Sequence, residues 1–98
     1  MDVEFYERIR LEISDLLARI GHLLPADTVD DVRIFADAAE FGLAVDQICQ
    51  QLYEYDKTLD QQSFASLKSL VEDVRVDFPL LSRLAAPNAE QDSICRPR

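Results

Sequence analysis

Nineteen carboxylates, two cysteines and a single histidine are the side chains of this 98-residue chain with chemistry to offer. Their spacing assembles no catalytic or metal-binding motif. His22 has no second histidine to share a metal, and it follows directly on Gly21, where a helix is expected to stop, so it complements a helix end. Cys49 and Cys95 form no CxxC pair and no zinc spacing; the first falls on an apolar helical face and the second in a polar tail, which predicts a reduced protein without a disulfide. There is no Gly-rich phosphate loop and no nucleophile motif. Carboxylates on solvated helix faces lack the surroundings that shift their pKa. An enzyme, a metal site and a cofactor are therefore not expected.

The chemistry left is charge, and it is unevenly placed. The net charge is −9. Residues 1–26 carry five acids against three bases, and residues 61–98 carry five of each. Residues 27–60 carry nine acids (Asp27, Asp30, Asp31, Asp37, Glu40, Asp46, Glu54, Asp56, Asp60) against Arg33 and Lys57. Such a field repels nucleic acid and anionic lipid and steers basic proteins, while the same charge also keeps a small domain in solution. Charge alone leaves both readings open.

The elements that position these charges follow from apolar periodicity. At about 100° per residue, Phe41, Ala44, Val45, Ile48, Cys49, Leu52 and Tyr55 share one arc, and Asp46, Gln47, Gln50, Gln51 and Glu54 fill the other, which predicts an amphipathic helix. Gly42 at its entry predicts a tight corner through Glu40, Phe41 and Gly42 that tolerates no side chain at Gly42. Phe5, Tyr6, Ile9, Ile13, Leu16, Leu17 and Ile20 predict a first helix, capped by Asp2 and stopped by Gly21 and Pro25. A second is expected from Asp27 or Thr28, with Thr28 and Asp31 as an acidic capping box and Val29, Val32, Phe35, Ala36 and Ala39 inside. A fourth starts at Asp60, flanked by the Leu59 and Phe64 of a hydrophobic staple. It buries Phe64, Leu67, Leu70, Val71 and Val74 and ends near Asp77-Phe78-Pro79. Leu80 to Leu84 can add a turn over the core. From Pro87 the pattern stops, and a mobile tail is expected.

The class expected is all-α: a compact four-helix bundle with short loops over residues 1–86, followed by a flexible tail at 87–98. No apolar run is long enough for a membrane span, and the acidic start Met1-Asp2-Val3-Glu4 lacks the basic region of a signal peptide, so a cytoplasmic, monomeric protein is expected.

The pattern Glu40-x-Gly42-Leu43-Ala44-x-x-x-Ile48-Cys49-x-x-Leu52-x-Glu54 resembles small all-helical bacterial immunity proteins of the MafI type, over about Leu16 to Val74. The resemblance implies an antitoxin that binds and neutralises one secreted polymorphic toxin, with no catalytic residue to carry over. The surface expected to meet that partner comprises Asp30, Ile34, Asp37, Glu40, Asp46, Gln50, Tyr53, Glu54 and Asp56; should the helix-two and helix-three faces lie side by side, they form an acidic rim around Ile34 and Tyr53. The structural reading of Ile34, apolar on a charged face, is a second contact inside a small bundle, helped by Ala38 beside it. The alternative class is a helical adaptor or assembly subunit that uses the same surface, or the apolar turn at Leu80 to Leu84, in a constitutive complex.

Overall fold

A computed structural model describes residues 3–86. The expected Asp2 cap, Cys95 and the tail from Pro87 lie outside the described residues. The architecture is all-α: α1 (Val3–Ile20), α2 (Ala26–Asp37), α3 (Phe41–Glu54) and α4 (Gln61–Val74), with 3₁₀ turns at Gly21–Leu23 and Leu81–Leu84. The helices are arranged in a ring. α1 packs against α2 and α4, α3 packs most extensively against α2 and also against α4, and α1 meets α3 more sparsely across the middle.

Each helix turns its apolar stripe into one core. Ile9, Ile13, Leu16, Leu17 and Ile20 of α1 are buried, as are Phe41, Ala44, Val45, Ile48, Cys49 and Leu52 of α3. α4 buries Leu67, Leu70 and Val71, with Phe64 and Val74 packed at the margin. The ring of Tyr6 meets Phe41 edge-on at 5.6 Å, joining the start of α1 to the start of α3. On the outside, Arg8 pairs with Asp73 at 3.3 Å and Arg19 donates to Ser66 Oγ at 3.0 Å, both between α1 and α4.

The helix ends depart from a glycine-based reading. Neither glycine has a positive φ. Gly42 lies inside the first turn of α3, and a Cβ built there meets nothing within 4 Å, so the corner expected at Gly42 is corrected. The left-handed residue is Ala39, at φ 61. Its N–H donates to Ala36 O at 3.0 Å and the N–H of Glu40 to Phe35 O at 2.8 Å. This paired closure satisfies carbonyls that the last helical turn leaves open. α3 ends the same way: Asp56 has φ 58, its N–H donates to Tyr53 O at 3.1 Å, and Lys57 N–H donates to Leu52 O at 2.8 Å. α4 closes at Arg75 (φ 60), with Val76 N–H on Val71 O at 3.0 Å, so it stops before the expected Asp77-Phe78-Pro79.

Two further expectations change. α2 begins at Ala26 after Pro25 and has no side-chain cap. Thr28 is instead buried, and its hydroxyl donates to Gln51 Oε1 of α3 at 3.3 Å, which answers the cost of burying a polar group. Tyr55, placed in the buried arc by periodicity, is 53% exposed because α3 ends at Glu54. At α4 the expected cap is present: Asp60 Oδ1 accepts from Ser63 N–H at 2.6 Å. That bond, followed by the positive field of Arg19, holds the Asp60 carboxyl below its ordinary range.

The segment after α4 is tied into the fold. Leu59 N–H donates to Leu84 O at 2.7 Å and Ala86 N–H to Leu59 O at 2.8 Å, an isolated parallel bridge between Leu59 and Ala85. Leu59 and Leu84 are almost completely buried. The turn over the core expected at Leu80 to Leu84 is present as the 3₁₀ turn, and backbone hydrogen bonds clasp it to the loop before α4.

Candidate protein-binding surface

The acidic residues of α2 and α3 reach the surface, but the fold sends them to different faces. On α2 the buried positions are Thr28, Val32 and Ala36. Asp30, Ile34 and Asp37 occupy the side turned away from them, all exposed, with Ile34 at 62%. No packing inside the bundle covers Ile34, so its expected role as a second internal contact is corrected.

On α3 the Thr28 to Gln51 bond marks the flank next to α2. Tyr53 lies two residues on, a rotation of roughly 200°, and its ring meets Phe78 at 6.3 Å and 76°. Tyr53 therefore faces the segment after α4 and not α2. The single rim around Ile34 and Tyr53 is corrected on this geometry: the candidate residues form two surfaces.

The first surface is the outer face of α2, continued by exposed Glu40 at the corner. Asp37 also borders a groove of about 240 Å³ between α1 and α2, where Arg10, Leu11 and Arg33 line the walls. The second is a groove of about 610 Å³ lined by Gln50, Tyr53, Glu54 and Asp56 of α3 and its end, with Phe78 and Arg83 opposite. Asp46 sits beside it, half-buried, accepting from Gln50 Nε2 at 3.1 Å. Comparison of the chain with protein-family models, curated proteins and solved structures finds no match.

Sequence reasoning missed Phe78 and Arg83. Phe78 precedes a proline in a stretch without period, where an aromatic gives no directional signal, and Arg83 reaches the groove only because the clasp at Leu59 sets the final turn against α3.

The electrostatics of both surfaces are open. Among the described residues, ion pairs within 4.0 Å are Arg8 with Glu12 and Arg8 with Asp73, both on the α1–α4 side. Asp30, Asp37, Glu40, Glu54 and Asp56 are exposed and have no such pair. Cys49, beneath them in the core, is pushed up to about 12 by burial and then by the nearby Asp46 charge, so its thiol stays protonated. Among the described residues no group of three His, Cys, Asp or Glu side chains is placed to hold a metal ion, and no helix is long and apolar enough to cross a membrane.

Proposed function

We propose that this chain is a cytoplasmic immunity protein that binds and neutralises a cognate secreted toxin through the acidic surfaces of α2 and α3. The observation that carries this reading is the set of exposed carboxylates without ion partners among the described residues, at Asp30, Asp37, Glu40, Glu54 and Asp56. Unpaired charges of one sign repel each other and are tolerated in the free protein. They become favourable when a basic surface approaches, and they speed that approach.

The resemblance to MafI-type immunity proteins supports the same reading in a specific way. Of the residues in the quoted pattern, Ala44, Ile48, Cys49 and Leu52 are buried, so core packing accounts for them. Glu40, Leu43 and Glu54 are exposed, with Leu43 at 50%, and packing does not account for them. A partner surface does. The adaptor reading draws less on the final turn, since Leu84 is fully buried and Leu81 packs on the core, which leaves Leu80 half-exposed.

The test is co-expression. The reading frame encoded beside this chain is induced in a bacterial host with and without it. Restored growth together with a purified one-to-one complex is the expected result. Unchanged toxicity, or a neighbour that is not toxic and forms a permanent complex, refutes the immunity reading and favours the adaptor.

A further inference from the structure

The geometry points to the groove between the end of α3 and Phe78 as a socket for an arginine side chain of the partner, an inference that rests on the reading of that partner as basic. Three kinds of group line it. Tyr53 and Phe78 meet edge to face, with centroids 6.3 Å apart and planes at 76°. In such a pair at least one ring keeps both faces clear of the other, and an aromatic face attracts a cation within about 6 Å. Glu54 and Asp56 supply exposed carboxylates without ion partners among the described residues. The third is Gln50, which lines the groove: its Nε2 is engaged by Asp46 at 3.1 Å, leaving Oε1 as an acceptor.

This combination selects arginine over lysine. A guanidinium is planar, so it can stack on a ring and donate in its own plane to carboxylate and amide oxygens at once, whereas an ammonium is a compact charge whose three donors diverge and which has no plane to stack. The site is also positioned by backbone. Asp56 is the left-handed residue that closes α3, fixed by its own N–H on Tyr53 O at 3.1 Å and by Lys57 N–H on Leu52 O at 2.8 Å. Arg83 on the opposite wall pairs with neither carboxylate within 4.0 Å. Its charge disfavours a cation beside it, and the charges of Glu54 and Asp56 favour one beside them.

The experiment is an NMR titration of the full chain with N-acetyl-arginine amide, beside the lysine and the neutral citrulline analogues. Saturable shifts of the Gln50 side-chain amide and the Tyr53 and Phe78 rings are expected, tightest for arginine and absent for citrulline. Tyr53→Ala should weaken binding about fivefold, the scale of an exposed cation–ring contact, while Tyr53→Phe should bind like wild type. Glu54→Gln with Asp56→Asn should weaken it and flatten its salt dependence. Arg83→Ala should tighten it, an effect no loss of folding would produce. Equal shifts with citrulline, shifts spread over other acidic faces, or wild-type binding by Tyr53→Ala overturns the socket. The two readings fail separately. If the chain protects against its toxin and Tyr53→Ala with Glu54→Gln protects equally, the socket is wrong and the immunity function stands; if arginine amide binds as described and no neighbour is neutralised, the reverse holds.

Discussion

Moving glycine between two positions three residues apart tests the α2–α3 corner directly. Gly42 is helical, in the first turn of α3, with open space where a Cβ would stand. A glycine inside a helix costs roughly 0.5–1 kcal/mol relative to alanine, mostly through the freedom it has when unfolded. Gly42→Ala should therefore stabilise by about 0.5–1 kcal/mol. At about 4–8 °C per kcal/mol for a domain of this size, the melting temperature should rise by about 2–8 °C. Ala39 is the mirror case, a non-glycine residue at φ 61. Left-handed backbone costs an L-residue roughly 1–2 kcal/mol, which Ala39→Gly would relieve. Glycine's own entropy and the half-buried methyl offset part of this, leaving a change between zero and about 1 kcal/mol in favour of the variant. Calorimetry and urea midpoints of the two single variants and the double measure this, and the double should add if the sites act independently. A fall in melting temperature for Gly42→Ala, with a fall for Ala39→Gly as well, would refute the argument and return the corner to Gly42.

Leu84→Ala should cost about 2–5 kcal/mol, the range for deleting a buried leucine side chain, because Leu84 is fully buried by the clasp at Leu59; a midpoint within experimental error of wild type would show that the final turn is not part of the core. With Cys95 replaced by Ser, the Cys49 thiol, pushed up to about 12, should react with a disulfide reagent only as fast as the chain unfolds, so rapid labelling at neutral pH would contradict its burial. Asp60 has its folded pKa lowered, chiefly by the Ser63 N–H. Its extra stability over Asp60→Asn is present above the unfolded value of about 3.9 and is lost as pH falls through the folded one; a difference that instead grows in acid would break the assignment. Asp30→Lys with Asp37→Lys should slow association with the toxin and weaken its salt dependence with little change in dissociation, measured by stopped-flow; unchanged association would confine docking to the α3 groove.

What was legible in the chain is what repeats. Ile9, Ile13, Leu16 and Ile20, or Ala44, Ile48 and Leu52, recur at helical spacing and lie at 2% exposure or below, because a helix has no other way to bury them together. Asp60 was legible for a related reason: its short carboxylate has a local role, accepting from Ser63 N–H three residues on. The helix ends were not. Glycine marks a left-handed position only statistically, and here Ala39, Asp56 and Arg75 take that conformation while Gly21 and Gly42 do not. What holds those three in place is backbone closure, which any sequence can make and none advertises.

The candidate surface divides along the same line. Exposure of Asp30, Asp37 and Glu54 follows from phase along a single helix, and the fold agrees, while for Ile34 phase left an internal contact open that the fold does not make. Adjacency between helices does not follow, because it depends on which flank of α3 receives α2. One hydrogen bond, from Thr28 to Gln51, marks that flank, and it involves a threonine that reads as a helix cap. With Gln51 turned toward α2, Tyr53 faces the other way, and its ring meets Phe78 in the stretch leading to the final turn. That stretch is held by backbone bonds at Leu59, so Phe78 and Arg83 join the acidic end of α3 through contacts that leave no periodic trace. A bundle of this kind therefore places its charges by helical phase and builds its grooves by loop closure. The second step, not the first, brings Tyr53, Glu54 and Asp56 to a wall they can share with Phe78.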